Sequence, residues 1–382
     1  MRKTAIVHVG FPKSGSSSIQ KTFALNRRVL GQAGWCFARF TQFGRDGINH
    51  STPLINLFAQ HSKELRSNLK IGKARSEQVV KFRAELKRNL ASDLPLIFSG
   101  ENISGMGVPA LKAMKAAFDE TGWDMRIIGF LRAPTEYAES LIQQLVKDGA
   151  TDLGLGRPLE RNLSHRVERL RQVFPEAEFY PFNDTRAHAG GPPGFLADLF
   201  EPGLSAKLVE YRANERVSDN AIELLQHLNR ALPVFLDIAG EAQVNPLRLH
   251  GDARPLFRLS GGRFYLRSGE LAKIQGQIDA QNEWLERHLG ASFCDQGERP
   301  PDRPLTWRPG QAGELRRILW RMPKHMRIAI AGYFKDRPDL PPELQVLAGR
   351  YRTGSNYYLR YVRRGSGFGK LEHVYRKLRG QW

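Results

Sequence analysis

A lysine, four serines and two glycines fall within nine residues near the start of the chain, Gly10-Phe11-Pro12-Lys13-Ser14-Gly15-Ser16-Ser17-Ser18. Lys13 supplies a cation and Ser16, Ser17 and Ser18 supply hydroxyls, while the small residues let backbone N–H groups approach a ligand. At the N-terminus of a helix such a set binds a phosphate-type anion. A second pair stands further on. Arg132 offers a planar fork of donors and Ser140, eight residues later, one hydroxyl, which together suit a phosphate monoester. Two further groups could take a proton from a reacting hydroxyl: Glu101, and His50 in the polar run Gly47-Ile48-Asn49-His50-Ser51, which is expected to line an acceptor cleft.

The surrounding pattern places these groups. Ala5–Val9 is short, apolar and β-branched, as in a buried strand, and it stops at the Gly/Pro/Ser cluster. Ile19, Phe23 and Ala24 then recur with helical spacing. Met125–Leu131 reads as a second buried strand. After Arg132-Ala133-Pro134 comes a helix marked by Tyr137, Leu141 and Leu145, with Pro134 in its first turn. A third strand over Leu94–Phe98 leads to Glu101, and Ala177–Phe182 is a weaker fourth. Helical patterns over Glu77–Leu90 and Pro109–Thr121 lie between strands. Such alternation predicts an α/β fold, a parallel β-sheet flanked by helices with ligands at the carboxyl ends of its strands. Lys13, Glu101 and Arg132 all fall at such ends.

The loop is not that of the nucleoside triphosphatases. Gly10 and Gly15 have the right separation, but Ser16 stands where the lysine must follow the second glycine. The sequence Phe-Pro-Lys-Ser-Gly-Ser-Ser instead resembles the 5′-phosphosulfate loop of sulfotransferases that use 3′-phosphoadenosine 5′-phosphosulfate (PAPS), and the Arg132/Ser140 spacing is similar to that family's grip on the 3′-phosphate. The resemblance is specific over residues 1–185 and general to about 298. It implies a P-loop-like sulfotransferase fold, with PAPS as co-substrate and no metal. Lys13, Ser14, Gly15, Ser16, Ser17 and Ser18 would hold the 5′ side, and Arg132 and Ser140 the 3′ side. Lys13 would also be catalytic, with Glu101 or, as runner-up, His50 as general base. The acceptor expected by analogy is a carbohydrate hydroxyl, with an amine as the other choice. A P-loop nucleotide kinase is the competing enzyme class.

At 382 residues with 41% apolar residues the chain can bury a large core. No apolar run is long enough to span a membrane, and Cys36 and Cys294 offer neither a disulfide framework nor a cysteine-rich metal site. A cytoplasmic protein is the expectation. The formal charge is +19. From Pro300 onward 18 Lys/Arg stand against 6 Asp/Glu, a net +12. The Pro-rich segment at 299–304 reads as a linker, dividing a sulfotransferase domain (1–298) from a basic C-terminal extension (299–382) that carries Trp307, Trp320, Tyr351, Tyr357, Tyr358 and Tyr361. Such a region fits an anionic or lipid-linked glycan, or a peripheral membrane contact. Nucleic acid is the less expected partner. A protein acting through this region alone, on an anionic surface or a nucleic acid, is the third reading. Ser218 is expected to cap a helix bearing Ile222, Leu225, Leu228 and Leu232, and one helix is expected across Leu271–Leu289.

Overall fold

The first strand, β1 (Lys3–Val9), has side chains from Ala5 to Val9 that are wholly or almost wholly buried. Burial on both faces is what an unbroken apolar run in a central parallel strand produces. This computed structural model describes residues 2–42, 44–59, 75–155, 163–211, 217–238, 241–248, 251–297, 299, 301–335, 337 and 339–351. Residues 352–382, with Tyr357, Tyr358 and Tyr361 of the basic extension, lie outside the described residues.

The strands that follow β1 are β2 (Cys36–Phe37), the short antiparallel pair β3 (Thr41–Gln42) and β4 (Arg45–Asp46), then β5 (Leu96–Gly100), β6 (Trp123–Leu131) and β7 (Glu178–Pro181). Five of them form one parallel sheet in the order β2-β5-β1-β6-β7. Val9 pairs with Gly100 on one side of β1, and His8 with Ile128 on the other. The expected α/β architecture is therefore present, and all the expected strands sit in the sheet. The chain leaves β1 toward β2 and leaves β6 toward β7. These connections diverge between the neighbours β1 and β6, the switch point at whose carboxyl ends open α/β sheets bind ligands.

Helices cover the sheet. α1 (Ser16–Leu25) buries Ile19 and Phe23 against Ile6, Ile128 and Phe130, and α2 (Arg27–Gln32) adds Leu30. α3 (Ser51–Phe58), α4 (Arg75–Leu90) and α5 (Val108–Asp119) follow, with Phe118 of α5 edge-on to Phe98 of β5 at 5.4 Å. After β6 come α6 (Pro134–Lys147) and α7 (Leu163–Val173). After β7 come α8 (Phe182–Ala187) and α9 (Gly191–Phe200), which place Phe182 and Leu196 in the same core as Phe23.

The chain folds as two compact units. The first holds the sheet and comprises Met1–Ala138, Leu159–Asn214 and Gln275–Glu298. The second gathers Glu139–Pro158, Glu215–Ile274 and Arg299–Trp382, so residues beyond 299 share it with earlier segments and with most of α6. In the second unit Ser218 caps α10 (Asp219–Ala231). Its Oγ accepts the Ala221 N–H at 3.2 Å and donates to the Leu259 carbonyl at 2.7 Å. Ile222, Leu225, Leu228 and Leu232 are buried, as their spacing predicts. A hairpin of β8 (Phe235–Ile238) and β9 (Glu241–Val244) follows. The helix expected across Leu271–Leu289 is two: α11 (Ser268–Leu271) in the second unit and α12 (Gln275–Leu289) in the first. Gly269 and Gly276 flank the break, where glycine weakens helix propensity. The second unit ends with α13 (Gln311–Trp320), α14 (Lys324–Tyr333) and α15 (Pro342–Arg350). Among the described residues no helix is long and apolar enough to cross a membrane.

Candidate functional site

The loop from Gly10 to Gly15 leaves the carboxyl end of β1 and enters α1 directly. Its turn closes on the Phe11 carbonyl, which accepts the Ser14 N–H at 3.2 Å and the Ser14 hydroxyl at 2.6 Å. Ser14 is fully buried by this arrangement. The turn requires Lys13 in the left-handed region at φ 66°, and Gly15 follows at φ 83°. Among the described residues Lys13 is the only non-glycine with positive φ. No side chain caps the N-terminus of α1. The Ser16 hydroxyl, in a residue only 3% exposed, finds no hydrogen-bond partner among the described residues. The loop thus sets the Ser16 hydroxyl at a helix N-terminus, together with a lysine, an arrangement that suits an anion.

The loop is pinned to the strand beside it. Gly10 N–H donates to the Gly100 carbonyl at 3.0 Å, and a Cβ built on Gly10 would lie 2.2 Å from Ser16 Oγ and 2.7 Å from Glu101 Cα. Only glycine lets these segments meet, and the meeting brings half-buried Glu101 to the loop. Arg132 follows β6, the neighbour of β1 on its other side. Its guanidinium lies 4.3 Å from the centre of the Phe182 ring. That same ring is 3.2 Å from where a Gly15 Cβ would be. One aromatic side chain therefore touches both the loop and Arg132, which lie at the ends of adjacent strands at the switch point. Arg186 sits 5.9 Å from the same ring and adds a second cation.

No protein-family model matches the chain, and the search of curated proteins finds no match. Two solved structures are similar in part. One is a sulfotransferase from Alicyclobacillus acidocaldarius, 16% identical, with a TM-score of 0.34 over 59% of this chain and 90% of that one. The other belongs to the PezAT chromosomal toxin–antitoxin system of Streptococcus pneumoniae, 12% identical, with a TM-score of 0.26 over 60% and 85%. Both fall well short of the similarity at which one structure informs another residue by residue.

His50 does not line a cleft. Its ring is wholly buried, with centroids 4.7, 5.5 and 5.8 Å from those of Phe37, Phe40 and Phe98, and its Nδ1 accepts the Ser99 N–H at 3.1 Å. Burial drives its pKa down to about 3, helped by the nearby Arg27 charge. The loop that looks polar in sequence is drawn in because three phenylalanines enclose the imidazole. His8 is likewise buried, as its position within a strand predicts. Its Nδ1 pairs with the Ser99 hydroxyl at 2.9 Å, and burial lowers its pKa to about 3.

Ser17 and Ser18 are half-buried in the first turn of α1. Ser140 is half-buried on α6, within the second unit. The start of α6 is held by Asp295, whose carboxylate takes the Thr135 N–H at 3.1 Å and hydroxyl at 2.8 Å. One residue escaped the sequence reading. Arg166 on α7 is 8% exposed and donates to the Ser104 hydroxyl at 2.9 Å, which in turn donates to the Gly10 carbonyl at 2.8 Å. A guanidinium therefore backs the loop through one hydroxyl. Its signal was present: Arg166 shares the helical stripe of Leu163, Val167, Leu170 and Val173, where a charge is out of place. Among the described residues no group of three His, Cys, Asp or Glu is placed to hold a metal ion.

Proposed function

We propose that the chain transfers a sulfuryl group from PAPS to a hydroxyl of a carbohydrate acceptor. The observation that supports this most directly is Lys13, held in a left-handed conformation inside the loop at the β1/β6 switch point, with Arg132 at the neighbouring strand end. A lysine there reaches a group attached to a single 5′-phosphate, whereas the triphosphatase lysine follows the second glycine. The unpartnered Ser16 hydroxyl fits a 5′-phosphate oxygen. Arg132, backed by Phe182, fits a phosphate monoester.

In this reading the bond between sulfur and the phosphate bridge oxygen breaks as the acceptor oxygen bonds to sulfur. Negative charge gathers on the bridge oxygen, where the Lys13 ammonium offsets it. Glu101 takes the acceptor's proton. Calorimetry with adenosine 3′,5′-bisphosphate against ATP-magnesium tests the donor. Micromolar binding of the bisphosphate, lost on Arg132→Ala, supports the assignment; binding of ATP alone would instead favour a kinase. Radiolabelled donor offered with a panel of glycans, anionic and lipid-linked ones included, would identify the acceptor.

A second reading has its own observation and can coexist with the first. On α13, the turn after it and the first residue of α14 the exposed positions are Gly313, Arg316, Arg317, Trp320, Arg321 and Lys324. Glu314 accepts from Ser260 N–H and Oγ. This face carries four cations with no ion pair among the described residues, around a tryptophan 78% exposed. A basic face bearing an exposed indole suits an acidic lipid surface.

A further inference from the structure

Arg166 lies on the buried stripe of α7 with Leu163, Val167 and Leu170, and is itself almost wholly buried. An apolar side chain would fill this position without desolvating a charge, so the guanidinium needs an account of its own. Its Nη1 donates to Ser104 Oγ at 2.9 Å, and that hydroxyl donates to the Gly10 carbonyl at 2.8 Å. Both bonds are buried. Room for the guanidinium comes from Gly105, where a Cβ would lie 3.3 Å from Nη1. α7 is fixed in turn by Gln281 of α12, whose side-chain oxygen accepts the Leu163 N–H at 3.1 Å and the Ser164 N–H at 3.4 Å.

The direction of this chain of bonds is forced. A guanidinium has donors and no acceptor, so Ser104 Oγ can only accept from it. A hydroxyl has one proton, and that of Ser104 is thereby committed to the Gly10 carbonyl. Gly10 is then held at both ends, its N–H by the Gly100 carbonyl at 3.0 Å and its own carbonyl by Ser104. The peptide bond to Phe11 is trans, so fixing the Gly10 carbonyl also fixes the Phe11 N–H on the opposite side. The next carbonyl, that of Phe11, is the one on which the turn around Lys13 closes. The orientation of the first loop peptide therefore decides how the rest of the loop is laid.

We infer that Arg166 is a positioning residue of the cradle: acting through Ser104, it holds the Gly10–Phe11 peptide in the orientation that lets the loop close around an anion, without touching the ligand. The inference rests on the loop being a phosphate cradle, and not on which nucleotide fills it. Titration of the full chain with adenosine 3′,5′-bisphosphate and with ATP-magnesium identifies the nucleotide to use. Arg166→Met should weaken its binding about tenfold, the loss expected when a hydrogen bond from a charged group is removed. Ser104→Ala should do the same, and the double variant should bind as either single one does, because both break one chain. Arg166→Lys, which can also only donate, should recover most of the loss. Ser104→Ala leaves the guanidinium in place and keeps the test open if Arg166→Met melts early.

A ligand-free signal accompanies these titrations. With glycine labelled at its carbonyl carbon and phenylalanine at its nitrogen, magnetic resonance detects only the peptides after Gly10, Gly129, Gly194 and Gly367, and Phe11→Leu identifies the first. That signal should shift in the same direction in Arg166→Met and in Ser104→Ala. The inference is overturned by binding losses that multiply in the double variant, by unchanged affinity in either single variant, or by a Gly10–Phe11 signal that Arg166→Met leaves in place. If the unsubstituted chain binds neither nucleotide, the cradle falls and the inference with it; if it binds ATP alone, only the donor assignment falls.

Discussion

Lys13 sits in the loop in a backbone conformation that side chains disfavour by about 1–2 kcal/mol. Lys13→Gly should relieve that strain, offset in part by the greater freedom of an unfolded glycine. The expected net gain is up to about 1 kcal/mol, or roughly 2–4 °C in melting temperature for a unit of about 200 residues. If the chain transfers sulfuryl groups as proposed, the same substitution should lower that activity by about 10²–10³-fold, the usual loss when one charge-stabilising donor is removed. A variant that is both less stable and equally active would show that the φ of 66° serves no function. The two buried histidines give the residue scale a pH signature. Their folded pKa values near 3 lie below the ordinary value of 6.5, so the unfolded chain binds protons that the folded chain refuses. Their contribution is therefore intact above about pH 6.5 and is lost as pH falls toward 3, by about 1.4 kcal/mol per pH unit for each histidine. Denaturant midpoints at pH 7 and pH 5 check this, and His50→Asn should flatten the slope. Lys13, Arg132 and Glu101 were legible because they follow strand ends, which short apolar runs mark well. The surroundings of His50 were not, since Phe37, Phe40 and Phe98 reach it from three separate segments.

Among the elements, β1 and β6 were readable because strands buried on both faces carry unbroken apolar runs, and α10 because Ser218 and its leucine stripe agree. β2 was not, since two residues at a sheet edge, Cys36 and Phe37, leave no periodicity. The β8–β9 hairpin also gave no signal; its exposed Phe235 and Val244 break the alternation of apolar and polar side chains. The contact between the β1 loop and the end of β5 depends on Gly10, and no pattern announces it. Gly10→Ala would set a methyl 2.7 Å from the Glu101 backbone. The Ser16 hydroxyl can rotate away, but the backbone cannot, so β1 and β5 must part at this end. The expected loss is about 1–3 kcal/mol, as for an overpacked core site, read as a lower denaturation midpoint. If the loop holds the donor as proposed, donor affinity should fall further than stability does, because Ser16 and Glu101 both shift. Equal losses in Gly10→Ala and in an unrelated core variant would mean that the contact is only packing.

Over the whole molecule the +19 charge is concentrated late in the sequence, with +12 from residue 300 onward. Composition shows that excess but not its geometry, because only the fold separates α13 into a buried face of Leu315, Ile318 and Leu319 and an exposed face of cations around Trp320. The two units were also hidden, since one continuous helix, α6, passes from the first to the second at Ala138. If the exposed face meets an acidic bilayer, each cation near the surface contributes about 1 kcal/mol. Replacing Arg316, Arg317, Arg321 and Lys324 together by glutamine should then weaken binding to vesicles containing 30% anionic lipid by about 4 kcal/mol, close to a thousandfold. Raising salt should weaken the unsubstituted chain in the same direction, because the Debye length contracts from about 10 Å at 0.1 M to about 3 Å at 1 M. Trp320→Ser should cost less and depend little on salt, since an indole contributes burial rather than charge. Sedimentation with neutral and anionic vesicles measures all three. Unchanged binding by the fourfold variant would move the contact elsewhere in the basic region, and loss of duplex DNA binding with vesicle binding intact would give the face to nucleic acid instead.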